Sequence, residues 1–238
     1  MAQLPLFQMN ANNSGKYIKS KDRIQKHGEV FTPAWLVNDM LALLPDDVWR
    51  PEKTFLEPAC GEVAFLVEIY KRKLEKISTA FNNRSEWEWQ AAIATSSIYG
   101  IELLEDNAEQ CALNLLQIFT KFYNEKFPDT QNDEVVETIQ FLISRNIIQG
   151  NALSYRRCKL SCGNDCKTCE PIIFSEWTPD ENSQFRRKDF AYESMVNADK
   201  MRRSSKNLLF DGIFSTEEYG LVKKYKSVNY KQIRYAKD

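Results

Sequence analysis

Apolar positions along the chain fall into two rhythms. Some form short runs closed by an acidic residue or a glycine; others recur three and four apart over longer stretches. The first rhythm predicts strands and the second helices. Strands are predicted over 53–57, 97–102, 146–150 and 171–176, and helices over about 64–77, 105–126 and 133–144. In the longest of these, Leu103, Cys111, Leu115, Ile118 and Phe122 fall near one face. Residues 34–44 also have helical spacing and follow Thr32-Pro33, which predicts Thr32 as N-cap and Pro33 in the first turn. The stretch 78–90 reads as a polar connection that carries Trp87 and Trp89. Strands alternating with helices predict an α/β fold with a doubly wound, mostly parallel sheet. Residues 1–20 read as a flexible polar arm, 21–192 as the domain and 193–238 as a basic extension.

Glycine sharpens the picture because the chain has only eight. Gly61, Gly100 and Gly150 sit at the predicted strand boundaries and Gly28 precedes the first helix, where a backbone must turn or admit a ligand.

Apolar content of 43% and charged content of 27% are those of an ordinary soluble domain. No apolar run approaches the roughly 18 residues that a membrane span needs. The first residues, Met-Ala-Gln-Leu-Pro-Leu-Phe, lack the basic and apolar regions of a secretory signal, so a cytoplasmic location is expected. The net charge of −1 does not mark a nucleic-acid binder, but residues 186–238 hold 13 Lys/Arg against 7 Asp/Glu. That basic, tyrosine-bearing segment suits either a phosphate backbone or a solvated tail. The one histidine, His27, lies in a polar segment, which argues against Ser-His or Cys-His catalysis.

The most informative stretch is 54–69, Thr-Phe-Leu-Glu-Pro-Ala-Cys-Gly-Glu-Val-Ala-Phe-Leu-Val-Glu-Ile. A strand, a glycine turn and a helix N-terminus in that order build a nucleotide-type site at the carboxyl end of a parallel strand. Glu57 at the strand end can pair an ammonium group, and backbone amides of the Cys60-Gly61 turn can receive a carboxylate. A plain strand–helix crossover is the simpler alternative. About 45 residues on, Tyr99-Gly100-Ile101-Glu102 ends a second strand in a carboxylate suited to ribose hydroxyls. Gly150-Asn151-Ala152-Leu153 ends the third.

These motifs resemble, in their order, the S-adenosylmethionine (SAM) site of DNA adenine-N6 methyltransferases of restriction-modification systems. Over roughly residues 20–192 the chain resembles a short methylase-subunit group within them. The resemblance implies that Phe31, Thr32 and Pro33 line the methionine end of SAM. It also implies that Glu57, Pro58, Ala59, Cys60, Gly61 and Phe65 form the cofactor loop. Glu102 would take the ribose and Asn151 the adenine amine. Thr32 can equally serve only as a helix cap. The implied function is methyl transfer to the exocyclic amine of adenine in DNA, with DNA and a partner subunit or second copy as partners.

Two positions depart from the family pattern. Val63 stands where a second glycine is expected, and no Pro-Pro pair occurs for the catalytic Asn/Asp-Pro-Pro-Tyr loop. At the corresponding place Ser175, Glu176 and Trp177 can supply an acceptor and a base-stacking ring. Alternatively, they end the strand and pack on it. The departures keep open an inactive methylase-like partner that binds SAM or DNA. Phe185-Arg186-Arg187-Lys188-Asp189-Phe190 continues the likeness to the short subgroup.

Cys158, Cys162, Cys166 and Cys169 lie within twelve residues, close enough to hold a structural zinc or to remain as thiols. The spacing of the last three also occurs in the iron–sulfur triad of radical SAM enzymes, which is placed near the start of a barrel.

Overall fold

The structure is a computed structural model, and it describes residues 32–61, 64–128, 132–157, 168–197 and 219–237. The chain divides into Met1–Thr32 and Pro33–Asp238, and the architecture below is that of the second unit.

Three strands form a parallel sheet: β1 (Phe55–Glu57), β2 (Ile98–Glu102) and β3 (Ile147–Gln149), in the order β1-β2-β3. The connections are helical. Helix α1 (Ala34–Ala42) and a 3-10 turn at Asp46–Trp49 precede β1. Helices α2 (Ala64–Ala80) and α3 (Arg84–Ser96) link β1 to β2; α4 (Glu105–Lys126) and α5 (Asp133–Asn146) link β2 to β3. Parallel pairing requires such crossovers.

Helix α1 starts one residue later than the sequence suggests. Pro33 is its N-cap, with extended backbone and no side-chain cap bond, so Thr32 does not cap it. Helix α3 occupies the stretch that reads as a polar connection. Asn83 caps it by accepting the Glu86 N–H at 3.2 Å, and Trp87 is fully buried against Phe119, Tyr123 and Phe127. An Asn followed three residues later by Glu is the signal that marked this helix.

The fourth strand is the main correction. Residues 171–176 were expected to extend the parallel sheet. Instead β4 (Ile173–Pro179) forms an antiparallel hairpin with β5 (Gln184–Ala191), in a second sheet completed by β6 (Leu221–Lys224) and β7 (Val228–Asn229). Asp180 closes the turn by accepting the N–H groups of Asn182 and Gln184, and Ser183 adopts a positive φ of 56°. The parallel sheet is therefore not doubly wound by helices in the expected way. On one face, Ile98 and Ile147 join the core that Leu66, Tyr70 and Leu115 of α2 and α4 build. On the other, Ile101 and Ile148 pack with Ile172, Phe174 and Tyr192 of the hairpin unit.

The basic C-terminal segment contributes to the same fold. Tyr230 and Ile233, in a 3-10 helix at Tyr230–Tyr235, are buried in the main core. The Glu88 carboxylate accepts the Tyr123 hydroxyl at 2.5 Å and the Tyr230 hydroxyl at 3.4 Å, and pairs Arg84 and Lys231. Burial opposes charge on Glu88, but the Tyr123 and Arg84 hydrogen bonds hold its carboxyl below the usual range. No helix among the described residues is long and apolar enough to cross a membrane.

Candidate active site

All three parallel strands end on the same edge, so Glu57, Glu102 and the Gly150-Asn151 turn come together at their carboxyl ends. The register fixes this: Glu57 lies beside Gly100, and Glu102 beside Gln149. The Gly150 N–H then bonds the Glu102 carbonyl at 2.8 Å, carrying the pairing one step further.

Glu102 is the hub. It is 8% exposed, and both carboxylate oxygens are engaged by backbone: Oε2 accepts the Gly61 N–H at 2.9 Å, and Oε1 accepts the Leu104 N–H at 2.9 Å. One carboxylate thus ties the β1–α2 turn to the β2–α4 turn. Gly61 turns with φ +57°, a left-handed conformation that favours glycine. Among the described residues other than its chain neighbours, no atom lies within 4 Å of where a Cβ on Gly61 would stand, so they leave this side of the turn open. The Cys60 N–H donates to the Ile101 carbonyl at 3.0 Å. Both turn amides that could receive a ligand carboxylate are therefore held by β2. Glu57 accepts the Ala59 N–H at 3.2 Å; Pro58 and Ala59 are exposed. Phe65 packs, partly buried, against the main core.

Gly100 has a different role from the turn glycine expected. It lies inside β2, where a Cβ would come within 2.8 Å of Leu66 Cδ1 and 2.9 Å of Cys60 Sγ. Its lack of a side chain lets the cofactor-type turn and α2 sit directly on the strand. Cys60 and Cys111 are both buried free thiols; the hydrogen bond to Cys111 and burial push the Cys60 thiol up.

The Asn151 carboxamide oxygen accepts the N–H groups of Leu153 and Ser154, at 2.9 and 3.3 Å, which folds the turn on itself. The acceptor that an adenine amine would use is thus already shared by two backbone donors.

Ser175, Glu176 and Trp177 do not converge. They alternate across β4, with Ser175 and Trp177 buried and Glu176 exposed on the other face. Ser175 Oγ donates to Asp189 Oδ1 at 2.7 Å and accepts from Arg187 Nε at 3.1 Å. Trp177 Nε1 donates to Asn146 Oδ1 at 3.0 Å, and the Arg187 guanidinium lies 5.3 Å from its ring. Asp189 further accepts from the Tyr225 hydroxyl at 3.1 Å. The turn-forming run Pro179-Asp180-Glu181-Asn182-Ser183 between two aromatic-bearing stretches was the available signal for this hairpin; apolar residues do not alternate over 184–191, where Arg187 and Asp189 take buried positions.

Among the expected site residues, Phe31 lies outside the described residues, as do Val63, His27 and Gly28; Thr32 is half-buried. Cys158, Cys162 and Cys166 also lie outside them; Cys169 is half-buried, and no group of metal-ligating side chains occurs among the described residues. A groove of about 610 Å³ lies at the amino end of β1, lined by Trp49, Arg72, Lys76 and Phe81 among others, away from the strand carboxyl ends.

A family model, described as MmeI, DNA-methyltransferase domain, matches residues 42–168, more than half of the chain. The chain belongs to this family. The match spans all three parallel strands, the Glu57–Gly61 turn, Glu102 and Asn151; Ser175 to Trp177 lie beyond it. No curated protein and no solved structure matches. The strand-edge cluster therefore falls within the part shared with MmeI-type methyltransferase domains.

Proposed function

We propose that the chain binds SAM in the crevice at the carboxyl ends of β1, β2 and β3, as the methyltransferase component of a restriction-modification or mobile-element system. The observation that carries this reading is the Glu102 hub, whose buried carboxylate ties the turns after β1 and β2 and whose backbone carbonyl takes the Gly150 N–H at the end of β3. The donor set suits this cofactor. Glu57 and Glu102 are anionic groups facing a cation with ribose hydroxyls, and the open side of Gly61 leaves room at the turn. The remaining lone pairs of Glu102 would accept the hydroxyls, and Glu57 the ammonium. SAM supplies an electrophilic methyl group. The acceptor implied by the resemblance is the adenine exocyclic amine in DNA, with the tyrosine-bearing basic C-terminal segment favouring contact with phosphates.

A second reading is favoured by one observation: Ser175 and Trp177 are buried and engaged, so this chain brings no side-chain acceptor or stacking ring to the crevice from β4. Under it the chain binds SAM or DNA without transferring the methyl group by itself.

Calorimetry with SAM tests the cofactor reading, and absence of heat at millimolar SAM overturns it. Transfer of tritium from labelled SAM into unmodified DNA separates the two readings. Incorporation by the purified chain selects the enzyme; binding without incorporation selects the partner.

A further inference from the structure

We infer that the arginine cluster where helix α5 meets the β4–β5 hairpin is a phosphate site, and that it seats a phosphate of a nucleic-acid backbone. The choice of a nucleic acid rests on the DNA-methyltransferase reading above; the anion site itself does not.

The register of the hairpin builds the floor of the site. Trp177 lies opposite Arg187 and Ser175 opposite Asp189, so the pleat turns all four to the face that packs on α5. The Tyr225 N–H donates to the Arg187 carbonyl at 3.0 Å, and its ring lies 4.1 Å from the Arg187 guanidinium. The Asp189 carboxylate is already filled. Oδ1 accepts Ser175 Oγ at 2.7 Å and Arg187 Nε at 2.8 Å; Oδ2 accepts Arg187 Nη2 at 2.8 Å and the Tyr225 hydroxyl at 3.1 Å. Four donors use the lone pairs that a carboxylate offers.

Arg145, in the last turn of α5, arrives as a fifth. Its Nη2 stands 3.5 Å from Asp189 Oδ2, beyond the roughly 2.7–2.9 Å of a charge-assisted hydrogen bond. Its Nε, on the same edge of the guanidinium, is buried without a hydrogen-bond partner among the described residues. Burial, and after it the charge of Arg187, hold Arg145 below the ordinary guanidinium range, and the exposed Arg157 adds to the repulsion. Three guanidinium groups thus share one saturated carboxylate. The α5 dipole favours a cation at this end, but it gives Nε no acceptor. A buried donor without a partner calls for a reason, and an oxyanion beside Arg145 supplies the missing acceptor for Nε and Nη2 together. The Arg145 side chain is 34% exposed, so a small rotation of the guanidinium presents that edge to solvent.

The arrangement favours phosphate over carboxylate. Arg145 comes from α5 and Arg157 from the segment after β3. A tetrahedral phosphate offers oxygens in both directions, whereas a planar carboxylate offers one edge. Both arginines stand open at the surface, which suits a phosphate carried on a long polyanion. Such a contact fixes the position of a nucleic acid without reading its sequence.

The test measures binding of an unmodified DNA duplex to the full chain across a salt series by fluorescence anisotropy. Arg145→Gln and Arg157→Gln should each lower the steepness of log affinity against log salt by about 0.9 and weaken binding roughly threefold or more at low salt. Arg145→Lys, which keeps the charge and loses the fork, should retain the steepness and lose affinity. Lys121→Gln, at an exposed cation on α4, should change neither. The melting temperature of Arg145→Gln should stay close to that of the parent. In chain labelled with 15N-arginine, the Arg145 Nε–H signal, identified by its loss in Arg145→Lys, should shift on addition of the duplex and of inorganic phosphate. An unchanged salt slope in Arg145→Gln, an equal fall in Lys121→Gln, a shift with inorganic phosphate alone, or no DNA binding by the parent overturns the proposal. Calorimetry with SAM keeps the two readings apart. A lowered slope without SAM heat preserves the phosphate site and removes the cofactor site; SAM heat with an unchanged slope removes the phosphate site alone.

Discussion

The carboxylate of Glu102 accepts the N–H of Gly61 at 2.9 Å across 41 positions of sequence, joining the turns that follow the first two strands. Its other oxygen holds Leu104 N–H at the same distance. Glu102→Gln would set a donor NH₂ group against one of those two backbone donors. We expect this variant to lose about 1–3 kcal/mol of stability. SAM affinity should fall by roughly tenfold or more, because a ligand hydroxyl and the turn both lose a charged acceptor. Calorimetry and thermal unfolding of the same preparation check both effects.

Gly100 is required by contact and not by a turn. Gly100→Ala introduces a Cβ within 3.1 Å of Leu66, Cys60 and Ile147 side-chain atoms, which must move aside. The expected cost is about 1–3 kcal/mol, read as a shift in the denaturant midpoint. Weaker SAM binding should accompany it, since Cys60 anchors the turn.

Trp177 is a core residue in this fold. Trp177→Ala should cost about 3–5 kcal/mol through lost burial and an unpaired Asn146 oxygen. Glu176→Gln, on the exposed face, should leave stability within about 0.5 kcal/mol of the parent. If Trp177 stacked on a base instead, its removal would change DNA affinity more than stability, and paired melting and DNA-binding titrations distinguish these outcomes.

Lys73 gives stability a pH dependence. It is fully buried, with Nζ within 3.0 Å of the carbonyls of Arg50, Pro51 and Lys53 and 2.9 Å from Ser97 Oγ. Burial pushes its ammonium down to about 7 from 10.5. Between these values the unfolded chain binds more protons than the folded one, so stability rises with pH across that window and is lost as pH falls toward 7. Urea unfolding at pH 7 and at pH 9 should show the higher stability at pH 9. Lys73→Met should flatten this difference and, by leaving three carbonyls without their donor, lower stability by about 3–5 kcal/mol at pH 7.

The cofactor-side motifs were legible because each is local. Glu57 to Gly61, Glu102 and Asn151 stand at strand ends that a few neighbouring residues define, and helix α4 follows directly from its apolar spacing. Helix α3 was obscured because its first half is charged around the buried Trp87, which makes residues 78–90 read as a polar connection despite the Asn83 cap. The fate of β4 depends on long-range pairing. An alternating strand of Ser175, Trp177 and their neighbours is compatible with either sheet until a partner is specified.

The sequence by itself determined the three acid- or glycine-ended strands, the crossover helices other than α3 and the family to which they lead, since periodicity and turn chemistry act over a few residues. Only the tertiary structure decided where the polar groups go. It gave Glu102 to two backbone amides, closed Asn151 on its own turn and buried Ser175 against Arg187 and Asp189. Among the described residues, it also paired β1 on one side only, with β2. These outcomes follow from the need to satisfy every buried donor and acceptor, a condition set by neighbours distant in the chain.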